Sequence, residues 1–498
     1  MTEIAIIGGG AAGAAVFGAL LRHVSHAGIH WITGPSATGR GVAYATNDEW
    51  HLLNVRAAGM GLYPDQGEEF VQYAERRLGD VQGADFLPRH LFGDFIEYQL
   101  QNRIETAHRQ GRHFTIYTQE ALHIESSQGG YRVCLADGTG VEADIVVLAL
   151  GALAPRPLRA VNSDALVSGA YELDPWRLPQ RVEAPHRLLV IGTGLTAADT
   201  LLSAAHRWPR AELVAVSRHG LLPFMHPSLP AAPYPLQQGL NDVLLACSGT
   251  ASMLKCVRTA WHASPQTDWR SVIDGMRPIN ARLWQHLTLA QRKQFLRHLR
   301  WLWEAARHRT APQTAETLQQ LLDEGRLQVH AARVLAVGGR GPLDVTVRAR
   351  TSQLQSTLQA DLVVQATGLD TAAAYAEHTL LSHLLQDGLA VADPLQLGVT
   401  ARPDGRLLNA HGEVQPGLYA IGSLLRGNLW ECTAMPEIRA AAHVLSQTLA
   451  SGPVTTFSPA TNPGPAQRED GSGTGHLCTA VLVQPPADAF VDQRSTIG

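Results

Sequence analysis

Two glycine-rich turns carry the residues whose types and spacing point most directly to chemistry. The first is Gly8-x-Gly10-x-x-Gly13, set between a short apolar run, Glu3 to Ile7, and a small-residue helical pattern reaching about Arg22. In such a turn the first glycine allows the tight bend and the second lets backbone approach a pyrophosphate. The third lets the helix pack on the strand. The helix start then offers unpaired N–H groups and a positive dipole end to phosphate. FAD is the dinucleotide expected on Gly8, Gly10, Ala12 and Gly13. The second strand ends in Thr33-Gly34-Pro35, where an acidic residue would normally take the ribose hydroxyls. Ser36 or a backbone group is the replacement.

The second turn, Gly192-x-Gly194-x-x-Ala197, has alanine in the third place, a variant that often accompanies NADP. The strand after it ends on Ser217-Arg218, where an acid would select NAD. A planar guanidinium suits a 2′-phosphate, so NADPH is expected, with NADH also possible. The bland alternative for Arg218 is a surface arginine. Each turn has a later apolar strand that ends in glycine, Gly151 and Gly368, at which the chain crosses over. A final strand, Gly417 to Gly422, gives Gly422 the chance of close approach on the ribityl phosphate side.

The elements that must position these residues define an α/β fold: two Rossmann-like dinucleotide-binding domains with a helical insertion. The expected division is an FAD-binding domain over 1–155, resumed at 360–450, and an NAD(P)H-binding domain over 156–224, resumed at 327–359. A helical insertion fills 225–326, and a Pro-, Gly- and Ser-rich tail over 451–498 is expected to be disordered. Within the insertion one helix is predicted from Gln291 to Arg309. Its apolar face is Phe295, Leu299, Leu302 and Ala306, and most of its charge faces solvent.

Composition excludes several classes. A 498-residue chain with formal net charge −4 has no long-range attraction for nucleic acid or acidic lipid, so a small-molecule or protein partner is favoured. Five cysteines without C-x-x-C or Cys/His ligand spacing argue against a disulfide framework, a zinc site or a dithiol reductase. No metal is expected. The uncharged run Ile4 to Leu21 is broken by five glycines at turn positions and lacks a basic leader, so it is not read as a membrane span. A cytoplasmic protein is expected, its oligomeric state left open.

Several longer stretches carry a resemblance: Gly39 to Tyr44, His51-Leu52-Leu53-Asn54-Val55, Leu87-Pro88-Arg89, Arg297-His298-Leu299-Arg300 and Leu429 to Arg439. From residue 3 to about 450 the chain resembles FAD/NAD(P)-binding flavoprotein monooxygenases. It is most similar to the bacterial branch containing the nitrosuccinate-forming aspartate N-monooxygenases. The resemblance implies that Arg40 and Asn54 lie against FAD and that Trp430 to Ala434 pass the flavin ring. The chain departs from the pattern at Arg56, where proline is usual, and at Glu304-Ala305-Ala306, where Asp and His are common. It departs again at Ile421-Gly422-Ser423, in place of Gly-Asp.

Two dinucleotide turns in one chain imply a hydride path from NAD(P)H to flavin. The expected activity is an FAD-dependent, NAD(P)H-consuming monooxygenase that N-hydroxylates a small amino-acid-type substrate with dioxygen, through a flavin hydroperoxide. Arg297, His298, Arg300 and Glu431 are the substrate candidates, and no catalytic side chain is singled out. Glu437 and Arg439 either orient substrate or pair with each other as a cap on the last helix. His51 is read as a satisfied loop residue rather than a flavin-side group. The competing readings are a reductase passing electrons to a partner protein and a redox-sensing flavin binder.

Overall fold

The computed structural model describes residues 1–35, 39–127 and 129–451. Ser36, Cys478 and the tail assigned beyond Ser451 lie outside the described residues.

The apolar runs become central parallel strands because both faces of each sheet are covered, which strands with no polar face require. The first sheet runs in the order β15-β16-β7-β1-β2-β3. It is made of β1 (Thr2–Ile7), β2 (Ala27–Ile32), β3 (Phe114–Tyr117), β7 (Ile145–Leu148), β15 (Arg406–Leu408) and β16 (Val414–Ala420). β1 pairs in parallel with both β2 and β7, Ile4 facing Ile29 on one side and Ile145 on the other. A three-stranded antiparallel sheet of β4 (Ala121–Ser127), β5 (Gly130–Leu135) and β6 (Gly140–Ala143) lies between β3 and β7 in the chain.

The second sheet has the order β13-β12-β11-β10-β9-β14-β8. Its strands are β8 (Tyr171–Glu172), β9 (Arg187–Ile191), β10 (Glu212–Ser217), β11 (Leu327–Gly338), β12 (Leu343–Ala349), β13 (Gln355–Ala360) and β14 (Leu362–Gln365). β9 sits between β10 and β14, as β1 sits between β2 and β7. Each sheet has an apolar core on either face. Helix α1 (Ala11–His23) is buried along most of its length on the first sheet, where Phe17 stacks on Trp31 with ring centroids 4.6 Å apart. No described helix is long and apolar enough to cross a membrane.

Between β10 and β11 the chain is helical, as its loss of strand pattern predicts, but the helix expected over Gln291 to Arg309 is two. Thr288 and Gln291 form a capping box on one helix, Leu289–His298, and the next, Arg300–Arg307, starts afresh after Leu299. The Trp301 indole donates to the His298 carbonyl at 2.9 Å and satisfies a group freed by the break. The new direction turns Arg300, Trp303, Glu304 and Arg307 inward and leaves Arg297 and His298 exposed.

The two sheets are joined by a buried polar clasp. The loop of residues 46–51 and Arg89, at the start of α2 (Arg89–Arg109), meet α3 (Leu195–Arg207), the helix that opens at the second glycine turn. His51 Nε2 lies 2.7 Å from Ser203 Oγ and 3.2 Å from the Asp199 carbonyl, its Nδ1 is 2.8 Å from Thr46 Oγ1, and Ser203 donates to Asp48. Trp50 stacks on His206 at 3.6 Å. His51 is therefore a satisfied buried histidine, as expected, and it works between sheets. Arg89 Nη2 lies 2.9 Å from Asp199 Oδ2, yet that oxygen accepts no hydrogen bond, so charge alone holds the pair. Burial pushes the Asp199 carboxyl above its ordinary range, with Arg89 and His51 opposing.

Removing Arg89 takes away the guanidinium that answers the buried Asp199 carboxylate, a loss of about 3–5 kcal/mol. A raised folded pKa means stability falls as pH rises from the ordinary carboxylate value of about 4 through the folded value. Arg89→Met raises that value further. Thermal melts should show its deficit largest near neutral pH, shrinking as pH falls, and largely relieved in Arg89→Met/Asp199→Asn. A deficit independent of pH would overturn this account of the clasp.

Candidate active site

The two glycine turns have the same geometry. Gly8 has φ +128° and Gly192 φ +135°; a Cβ would lie 2.2 Å from the Ala149 carbonyl oxygen at the first and 2.1 Å from that of Ala366 at the second. Gly8 N–H donates to Ile32 O at 2.8 Å, and Gly192 N–H to Val216 O at 2.9 Å. In each case the end of a directly paired neighbouring strand, β7 or β14, presses against the turn, and only glycine fits. A Cβ on Gly13 would meet Gly8 O at 2.0 Å, whereas Ala197 is accommodated, fully buried, in the corresponding place. Both helices begin with a glycine cap, Gly10 and Gly194, which offers no side chain to the first-turn N–H groups. That is the donor set a pyrophosphate fits.

Around the first turn the structure gathers Gly8, Gly10, Ala12, Gly13 and Gly422. Gly422, at φ +76°, lies so that a Cβ would touch Ala12 Cβ at 3.7 Å. Gly151 follows two residues after Ala149 at φ +69°, and Gly368 two after Ala366 at φ +87°. Nothing lies within 4 Å of where either Cβ would be. Gly41, the neighbour of Arg40, approaches the turn, its Cα lying 3.5 Å from a Cβ placed on Gly10. The Arg40 guanidinium is held by Glu97, at 2.7 and 2.8 Å, and by Asp94 at 2.5 Å. The Asn54 carbonyl is 3.1 Å from His226 Nε2.

At the end of β10, Ser217 Oγ accepts from Thr193 Oγ1 at 2.8 Å and from Gly220 N–H at 3.0 Å. Arg218 is exposed and pairs with no acidic group among the described residues. A second guanidinium, missed in the sequence, stands close by: Arg350 Nη1 donates to His219 Nδ1 at 2.5 Å. Burial, Arg350 and Arg218 push His219 down to about 4, so its ring is neutral near pH 7 and can accept. It stacks on Trp301 at 4.1 Å.

The substrate candidates separate. Arg300, Glu431 and Trp430 come together, while Arg297 and His298 stay on the surface. Trp430 is 6% exposed and adopts φ +61°, a strained conformation for a bulky residue. Its ring stacks on Trp284 at 4.9 Å and meets Phe295 edge-on at 5.2 Å. The Arg426 guanidinium lies 4.9 Å from its centroid and that of Arg300 5.9 Å, both within cation–π range. The Trp430 indole N–H is buried without an acceptor.

Glu431 is fully committed, accepting from Trp303 Nε1 and Asn280 Nδ2 at 2.9 Å each and from Arg307 Nε at 3.2 Å. Glu304 accepts from Arg300 at 2.9 Å and Arg426 at 2.8 Å. Burial works to raise the Glu304 carboxyl, but the two arginines overcome it and hold it below the usual range. Burial pushes His308 down, so it adds no charge. Three guanidinium groups therefore face two carboxylates, leaving one positive charge in excess. Cys432 Sγ donates to Gly422 O at 3.2 Å, which ties this loop to the start of α1. Glu437 and Arg439 do not pair with each other. Glu437 accepts from Arg277 at 2.5 and 2.9 Å, and Arg439 donates to Gly61 O, because the insertion brings Arg277 over the start of the last helix.

Asp199, Arg350 and Arg426 were not singled out in the sequence; Glu304 stood out only as a departure from the family pattern, and Arg307 only as part of the helix's charge. Only Asp199 had a local signal, a carboxylate in mid-helix among alanines and leucines, which requires a buried partner.

Residues 5–153 match the family model described as FAD-NAD(P)-binding. No curated protein matches the chain by sequence. Among solved structures, the chain resembles an ornithine N-hydroxylase of Kutzneria sp. 744, in complex with reduced FAD, NADP+ and L-orn, at TM-score 0.60 and 15% identity. The match covers 91% of this chain and 99% of that one. It resembles L-lysine 6-monooxygenase of Pseudomonas syringae at TM-score 0.60 and 18% identity, again over 91% and 99%. The ornithine hydroxylase of Pseudomonas aeruginosa gives 0.58 and 15%, over 90% and 98%. At these identities the likeness is one of fold, and it spans nine-tenths of the chain.

Proposed function

We propose that this chain is an FAD-dependent, NADPH-consuming monooxygenase that N-hydroxylates a small amino acid. The observation that carries the reading is the repeated turn, Gly8 against Ala149 and Gly192 against Ala366, each opening a helix with no side-chain cap. The fold likeness to ornithine and lysine hydroxylases supports the choice of reaction. FAD would rest on the first turn, with Gly422 and the 39–44 segment closing over it, and NADPH on the second, with Arg218 and Ser217 at its 2′-phosphate. When bound, FAD would accept hydride from NADPH and activate dioxygen. The side chains bind, orient and exclude water. Arg300 and Arg426 above Trp430 supply the excess positive charge that holds a carboxylate, and the Trp430 N–H supplies a further donor. Glu431 orients Arg307 and Trp303 rather than meeting substrate directly. The residual positive charge favours an acidic amino acid over a diamino one, in keeping with the resemblance to aspartate N-monooxygenases.

Purified protein loaded with FAD should consume NADPH faster when an acidic amino acid is added, with an N-oxygenated product accumulating in step. A screen in which no amino acid yields such a product would sink the monooxygenase reading in favour of electron transfer to a partner.

Arg218→Ala should raise KM for NADPH about tenfold, the effect of losing about 1.4 kcal/mol, with little change for NADH. Gly192→Val should abolish reduction by NADPH while FAD remains bound and reducible by dithionite. Equal loss of FAD would show that the second turn does not act on its own.

A further inference from the structure

The helical insertion brings two cysteines together that lie nine positions apart. Cys247 caps the end of helix α4 (Gln237–Ala246), and Cys256 sits in helix α5 (Thr250–His262). Their sulfurs are 3.7 Å apart, and Cys256 packs against a small core with Leu240, Leu244 and Met276. No disulfide joins them, nor is there one among the other described cysteines. The pair of thiols is one contraction away from the S–S bond length of about 2.05 Å. Their access to solvent differs: Cys247 is 8% exposed, and Cys256 is half-buried beside the exposed Lys255.

We propose that Cys247 and Cys256 form a reversible intramolecular disulfide by exchange with a low-molecular-weight disulfide. The more accessible Cys256 thiolate attacks one sulfur of the small disulfide, forming a mixed disulfide and releasing one small thiolate. Cys247 then attacks the Cys256 sulfur, and the second small thiol leaves. Two protein thiols are oxidised by two electrons, and one small disulfide is reduced to two thiols. Burial and the neighbouring thiol push the Cys256 thiol up, so the exchange is slow near neutrality and quickens in mild alkali. The second step is the favoured fate because the resolving sulfur is already in contact.

The pair has a route to the rest of the molecule. Met253, one turn before Cys256 on the same helix, packs both on the core that Cys256 joins and on the Trp284, Phe295 and Trp430 layer. Gln291, in the capping box of the helix that carries Phe295, donates to the Ser248 carbonyl between the two cysteines at 2.6 Å. Drawing the sulfurs together therefore acts on that layer through Met253 and Ser248. This inference is independent of the assigned reaction.

The test is to incubate the full-length protein with oxidised glutathione at mildly alkaline pH, quench with acid and read the intact mass and the non-reduced peptide map. The expected result is loss of two hydrogens with a single cross-link joining Cys247 and Cys256, reversed by dithiothreitol. Cys247→Ser should instead retain one glutathione on Cys256, and Cys256→Ser should show no adduct on Cys247. Glutathione persisting on Cys256 of the unaltered protein, a cross-link through any other cysteine, or no reaction while denatured protein reacts fully would each overturn the proposal.

Discussion

The contact between Arg89 and Asp199 is the constraint on which the arrangement of the two sheets depends. A carboxylate on the buried face of α3 is costly unless something answers its charge, and the only described guanidinium paired with it comes from the other sheet's helix. His51, Ser203, Asp48 and the Trp50–His206 stack then fix the register of that meeting. Because α3 begins at Gly194, a shift in the clasp moves the second glycine turn as a body.

Electrostatics divides the labour in the layer above the first turn. Glu431 and Glu304 lie at the centre of the polar group, yet they are internal counter-ions, each saturated by groups of this chain. What is left for an outside partner is the surplus cation and one indole N–H. The strained backbone of Trp430 is tolerated because its ring is pinned by Trp284, Phe295 and two arginines, which over-determine its position.

Much of the fold was legible in the sequence, for a local reason. A glycine that must pass a carbonyl at contact distance cannot be replaced, so Gly8 and Gly192 announce their turns, and unbroken apolar runs announce strands covered on both faces. The site was legible only where it repeats such backbone rules. The end of the helix at His298 could not be read from its periodicity, since Arg297 and Arg300 share one short motif and the break sends them to opposite environments. Arg350 and Arg426 come from segments with no motif at all, and Glu431 looked like a ligand because its partners lie more than a hundred residues away. The nearness of Cys247 and Cys256 is hidden for a related reason: a helix end and a fresh start intervene, so their spacing carries no period.

The order in which the first sheet is threaded has a consequence for how the chain comes off the ribosome. β7 lies at the centre of that sheet, flanked by β1 and β16, and β16 ends only at Ala420. Until those residues emerge, one edge of β7 has no partner, whereas every strand of the second sheet has been made by Gln365. The later-encoded sheet can thus close first, and the N-terminal one waits with an open apolar margin, the state most exposed to mispairing during synthesis.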